Sequence, residues 1–192
     1  LNVPEAKAIK FSKLGTTFLV KRFDRDGQQR IHFSSAMTML GKKDGANATD
    51  GSSYLEIVSF LKANGAKPRD DVQELWKRIV FSMAVSNTDD HFRNHGFILS
   101  NDGWELSPLY DVNPDIYGEY LSLNVDEYDS GIDFDLAIES APYYGLKKNQ
   151  AKKEIDMIKS VVRNNWRELA KKNGISRGEI ERMEPAFHIC EE

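Results

Sequence analysis

From Pro68 to Met83 the chain carries a periodicity that limits what it can become. Val72, Leu75, Trp76, Ile79, Val80 and Met83 recur at three- and four-residue intervals, which places them on one wide stripe of a helix, and Pro68 with Asp70 supplies a start signal. A stripe that wide must be covered, so the spacing predicts a largely buried helix. Ala151, Ile155, Ile158, Val162, Trp166 and Leu169 form a second stripe, predicting a long helix that Gly174 ends, with Ser176-Arg177-Gly178-Glu179 as the capping box of another. Ser53-Tyr54-Leu55-Glu56 is also a capping box, ahead of Leu55, Val58, Phe60, Leu61 and the stop at Gly65. With 192 residues, 40% of them hydrophobic, the chain can bury these stripes in one domain or one large lobe.

The β signals are shorter. Ala6 to Phe11 and Thr16 to Arg22 flank a Gly15-containing turn, and Arg30 to Phe33 follows Asp26-Gly27, so the opening reads as one small antiparallel sheet. Asn101-Asp102-Gly103 between Gly96 to Ser100 and Trp104 to Ser107 predicts a hairpin. Met37 to Ser53, with Gly41, Gly45 and Gly51, reads as a long loop holding at most a short helix, and Val112 to Ser130 is irregular.

A formal net charge of −4 argues against a protein held mainly on nucleic-acid phosphates. Cys190 is the lone cysteine, which removes disulfide frameworks and cysteine metal knuckles and suits a reducing cytoplasm. No apolar run approaches the roughly 18 to 20 residues of a membrane span, so no membrane role is expected. The chain opens at Leu1, and Leu1-Asn2-Val3-Pro4 reads like a join between elements, which suggests a fragment or processed product.

Asp89 and Asn94 are separated by four residues, the Asp-x-x-x-x-Asn spacing of a protein-kinase catalytic loop. Phosphoryl transfer needs a carboxylate within reach of the attacking hydroxyl, and an oxygen ligand close by lets Mg²⁺ sit beside the same phosphate. The spacing alone is common. Its position is more telling: it follows a buried helix, and a hairpin then returns the chain to Tyr110-Asp111, where a second metal ligand belongs. A solvated turn with Asx caps would also account for Asp89, Asp90, His91, Arg93, Asn94 and His95.

Four segments together resemble the HipA-type toxin kinases of bacterial toxin–antitoxin systems: Leu1-Asn2-Val3-Pro4, Val20-Lys21-Arg22-Phe23-Asp24-Arg25, Asn87-Thr88-Asp89-Asp90-His91-Phe92-Arg93-Asn94 and Leu106-Ser107-Pro108-Leu109-Tyr110-Asp111. The resemblance runs from residue 1 to about Gly174. It implies an α+β, mainly α kinase C-lobe of the lipid-kinase-like HipA type, with a β-rich hinge segment over 1–34, a mainly helical lobe over 35–192, a small antiparallel sheet and a hairpin beside the active site. It implies ATP and Mg²⁺ as cofactors, Asp89 as catalytic base, and Asn94 and Asp111 as metal ligands. Lys21, Arg22 and Phe23 match the hinge that meets adenine, with Asp24 next to the ribose. His91, Phe92, Arg93, Asn94 and Tyr110 join the nucleotide-contacting set. Asp90 stands where the family varies and reads as loop solvation or a helper for Arg93. The implied partners are a protein substrate of the aminoacyl-tRNA synthetase kind and a helix-turn-helix antitoxin, with DNA reached only through the antitoxin. The glycine-rich phosphate clamp and its lysine do not occur in this sequence, so an N-terminal lobe is expected in cis or trans and the chain alone should be a weak kinase.

Other readings compete. Val20 to Arg25 also fits an amphipathic edge strand with Phe23 in the core. His91 and His95 are four apart, as in a zinc site, but Phe92 stands where the glutamate of His-Glu-x-x-His would be; a metal phosphohydrolase would need further histidines, and His32 and His188 are the only others. Lys147, Lys148, Lys152, Lys153, Lys159 and Arg163 load one helix with positive charge, which fits a surface for DNA or an acidic partner, but the interspersed Glu154 and Asp156 favour a solvated face. The alternative from another class is a non-catalytic lobe that binds an antitoxin or partner subunit.

Overall fold

The structure, a computed structural model, describes residues 1–12 and 15–191. Strands β1 (Ala6–Ser12) and β2 (Gly15–Val20) pair antiparallel with Ala6 opposite Val20; the tip of their expected turn, residues 13–14, lies outside the described residues. Two short strands follow, β3 (Arg25–Asp26) and β4 (Gln29–Arg30), paired only with each other, and then β5 (Phe33–Ser35). The expected single opening sheet is therefore corrected. The run ending at Phe33 leaves the first hairpin and pairs instead with the hairpin of residues 96–106, because Phe33 lies opposite Ile98.

After α1 (Ala36–Met39), a polar loop and a 3-10 turn at Ala48–Asp50 lead to α2 (Tyr54–Asn64), which starts at the expected capping box: Ser53 Oγ accepts from the Leu55 N–H, and Glu56 reaches back to the Ser53 N–H. Helix α3 (Pro68–Ala84) has Pro at its first turn and buries Val72, Leu75, Trp76, Ile79, Val80 and Met83, the predicted stripe. Strands β6 (Gly96–Ser100) and β7 (Gly103–Leu106) form the predicted hairpin and complete a β5-β6-β7 sheet. Gly103 closes the turn at φ 137°, where an added Cβ would meet the backbone of residues 64–66.

Residues 112–130 carry no helix or strand, as expected, but α4 (Phe134–Ser140) was not legible in the pattern. Helix α5 (Lys148–Lys172) ends ahead of Gly174 at φ 78°, and α6 (Arg177–Met183) begins at the Ser176 capping box. A final 3-10 segment, Glu184–Cys190, stacks Phe187 on Trp166 at 4.2 Å between ring centres and brings the Cys190 thiol to the Ala84 carbonyl. α3 is the centre of the molecule, touching α2, α4, α5, β7 and the C-terminal segment. The result is a mainly helical α+β architecture with small antiparallel sheets, as the sequence indicated. Among the described residues no helix is long and apolar enough to cross a membrane.

Candidate active site

The loop between α3 and β6 is held from below. Asp90 is buried, and its Oδ2 accepts hydrogen bonds from Tyr54 Oη (2.8 Å) and Ser82 Oγ (3.2 Å), while its Oδ1 lies 3.0 Å from His95 Nε2. Burial opposes ionisation of Asp90. The neighbouring His95 and the two hydroxyls outweigh that penalty and hold the carboxyl below its ordinary value. The expectation that Asp90 solvates the loop or assists Arg93 is overturned: it is the internal anchor, and Arg93 pairs instead with Asp44 of the glycine-bearing loop.

With Asp90 pinned inward, its neighbour turns outward. The Asp89 side chain is 77% exposed. Its carbonyl accepts the Asn94 side-chain amide (2.7 Å), so Asn94 Nδ2 is spent on closing the loop and Oδ1, a hard oxygen, is not. Its carboxylate lies 3.6 Å from His91 Nε2. Thr88, just before it, donates to Asp115 (2.8 Å) and gives its carbonyl to Ser122 Oγ (2.7 Å), so the irregular 112–130 segment braces the loop from the far side.

The return from β7 brings Tyr110 and Asp111 to this loop. Tyr110 Oη donates to the Arg93 carbonyl (2.7 Å), and its ring stacks on Phe23 at 5.9 Å. Burial pushes the Tyr110 phenol well above its usual range, so it remains a neutral donor. Asp111 sits at φ +57° and Ser86, at the loop entrance, at φ +49°. Left-handed backbone at residues other than glycine costs of order 1 kcal/mol and clusters at functional sites. Asn113 Nδ2 holds Asp111 Oδ1 at 3.0 Å, and the Asn113 N–H in turn bonds Asn87 Oδ1 at 3.2 Å.

Of the residues singled out in the sequence, Lys21, Arg22, Phe23, Asp24, Arg93 and Tyr110 line one cleft of about 360 Å³ together with Val20 and Phe33. Phe23 neither lies in a continuous edge strand nor enters the core: it stacks at the cleft, past the end of β2. Asp24 takes a bidentate grip from Arg22, chiefly a hydrogen bond, that holds its carboxyl down to about 2. Asp111 borders the adjoining groove beyond Tyr110. His91 faces a smaller pocket of about 160 Å³ with Asp44, Asn47 and Arg93. Phe92 is a correction to the nucleotide-contacting set: its ring is 0% exposed, locked in the core beneath Lys42, so it fastens the loop and lines no cleft. His91 and His95 do not converge on a metal: His95 Nε2 lies against Asp90, and among the described residues no three His, Cys, Asp or Glu side chains form a metal cluster. Tyr54, Ser82, Asn87 and Asp44 were not anticipated. For Ser82 a signal existed in the sequence, a polar residue interrupting an apolar helix stripe.

The HipA-like C-terminal domain family model matches residues 1–166. Among curated proteins, a putative kinase of Haemophilus influenzae is 34% identical over 101 residues, covering 49% of this chain and 29% of that protein. A serine/threonine-protein kinase toxin HipA of Shewanella oneidensis is 30% identical over 149 residues, covering 66% of this chain and 34% of that protein. The chain thus spans about a third of the length of these relatives. A chain of the solved Shewanella oneidensis toxin–antitoxin complex of HipA, HipB and operator DNA superposes over 100% of this chain and 51% of its own length, with a TM-score of 0.81 at 20% identity, a likeness of fold.

Proposed function

The chain belongs to the HipA-like C-terminal domain family, and from that premise we propose that it is the catalytic-loop half of a serine/threonine protein kinase, moving the ATP γ-phosphoryl group to a protein hydroxyl. One observation carries the reading: an inward Asp90 and an outward Asp89 sit on one loop, tied through Arg93 and Tyr110 to a cleft whose wall is the Phe23–Tyr110 stack. A flat aromatic wall suits a purine ring, and an exposed carboxylate on a fastened loop suits a base.

In this reading residues 1–34 are the hinge and 35–192 the C-lobe. Asp89 accepts the proton of the attacking hydroxyl, and the Asn94 amide, by holding the Asp89 carbonyl, fixes where that carboxylate stands. Phe23 and Tyr110 orient the base, Lys21 and Arg22 edge the cleft, and Asp24 takes the ribose side. His91 and Arg93 face the phosphates. Asn94 Oδ1 and the Asp111 carboxylate are hard oxygens of the kind Mg²⁺ takes, and two protein ligands are what such an ion uses when phosphates and water complete its shell. Bound there, Mg²⁺ would neutralise the charge that gathers on the transferring phosphoryl group. The partners are a protein substrate of the aminoacyl-tRNA synthetase kind, a helix-turn-helix antitoxin that alone meets DNA, and an ATP-clamp lobe in cis or trans. Every described residue of β2 is exposed, and a two-stranded hairpin needs further chain against it.

The test compares two variants in protein carrying the clamp lobe. Asp89→Asn should cut phosphoryl transfer by about 100-fold or more and leave ATP–Mg²⁺ affinity nearly intact. Asp111→Asn should weaken the Mg²⁺-dependent binding as well. Radiolabelled transfer and calorimetry read the two effects; full transfer by both variants overturns the kinase reading and leaves a binding lobe.

A further inference from the structure

The face of α3 turned to the core is apolar except along one line, Glu74, Arg78 and Ser82, spaced four residues apart and so stacked on one side of the helix. The Arg78 side chain is only 1% exposed. Its Nε donates to Glu74 Oε1 at 3.1 Å, and its Nη2 is buried without a partner. A guanidinium buried with a donor left over is unfavourable, and an apolar side chain of similar length would fill the volume without that penalty. Packing alone does not account for it.

Both ends of the line are fastened to the proposed site. At one end Glu74 Oε1 also accepts the Asn2 N–H (2.8 Å), and the Asn2 carbonyl accepts the N–H of Leu109 (2.8 Å), two residues before Asp111. At the other end Ser82 Oγ donates to the anchor Asp90, and the Ser82 carbonyl accepts the N–H of Asn87 (2.8 Å). Asn87 in turn holds Asn113, two residues after Asp111. Asp111 is therefore bracketed by bonds that lead back to α3, and the loop bearing Asp89 and Asn94 hangs from the same helix.

We infer that Glu74, Arg78 and Ser82 form a positioning line that sets Asn94 and Asp111 at the spacing one divalent cation requires, with Arg78 as its central positioning residue. The inference rests on the proposed metal roles of Asn94 and Asp111. It gives the buried charge a purpose: a guanidinium ion-paired to Glu74 resists the sliding that an apolar contact allows.

Mn²⁺ in place of Mg²⁺, titrated into the protein with saturating ATP and followed by the free-ion paramagnetic resonance signal, reads the site without any turnover. Arg78→Met should raise the half-saturating Mn²⁺ concentration by about tenfold, the usual consequence of losing a residue that orients a ligand. Arg78→Lys should restore most of it, and metal-free ATP binding should not change. Should Arg78→Met fail to melt cooperatively, Glu74→Gln, which keeps the size of the side chain and removes its charge, replaces it with the same expectation. Asp111→Asn runs alongside. If Asp111→Asn weakens Mn²⁺ binding while the Arg78 and Glu74 variants bind it as wild type does, the positioning line is overturned and the kinase reading stands. If Asp111→Asn has no effect, the metal role falls, and the positioning line with it.

Discussion

At the scale of single residues, the site turns on two adjacent aspartates with opposite fates. Asp90 faces Tyr54, Ser82 and His95, and Asp89 faces solvent. Asp90→Asn should therefore behave as a stability mutation, costing about 3 kcal/mol or more, because it leaves buried partners of a carboxylate unmatched. Urea unfolding measures it, and an Asp90→Asn protein as stable as wild type would remove the anchor role. The sign of its pH dependence follows from the same contacts. The folded carboxyl ionises below the value of the unfolded chain, so its contribution is fully present above about pH 4 and is lost as pH falls through the lower folded value. The acid limb of the stability curve should be shallower in Asp90→Asn than in wild type.

At the scale of elements, α2 illustrates how a local signal takes on a tertiary duty. Ser53 caps the helix as its capping box predicts, and its hydroxyl also reaches the carbonyls of Asn124 (3.0 Å) and Asp126 (2.7 Å), which belong to the irregular segment bracing the loop that carries Asp89. Ser53→Ala should cost about 2 kcal/mol, at the upper end for a lost cap, since the buried Asn124 carbonyl and the partly buried Asp126 carbonyl lose the one O–H they share. Chemical denaturation checks the size, and amide exchange over residues 122–126 should accelerate with it. A loss of only a few tenths would mean that the cap alone is felt.

For the whole molecule, the distribution of burial divides the chain. α3 is enclosed by helices and the C-terminal segment, whereas β1 and β2 touch chiefly each other, with Phe18 69% exposed and Leu19 46%. The chain by itself should accordingly show fast amide exchange over β1 and β2, slow exchange over α3, and little phosphoryl transfer, since losing each clamp on a transferring phosphoryl group costs on the order of hundreds-fold. Adding the clamp lobe should protect the hairpin and raise transfer together. Strong transfer by the chain alone, or a hairpin already as protected as α3, would contradict this division.

What the sequence determined by itself is what repeats along it: the stripes that became α3 and α5, the capping boxes at Ser53 and Ser176, the Asn101-Asp102-Gly103 turn, and the Asp89 to Asn94 spacing. Each depends on neighbours within a few positions, so each is visible without a fold. Whether Phe33 would pair with the first hairpin or with Ile98, which of Asp89 and Asp90 would point inward, and that Phe92 would be swallowed by the core depended on residues tens of positions away. Asp90 was decided by Tyr54, thirty-six residues upstream. Burying a carboxylate is tolerable only where several donors meet it at once, and that meeting is made by tertiary structure alone.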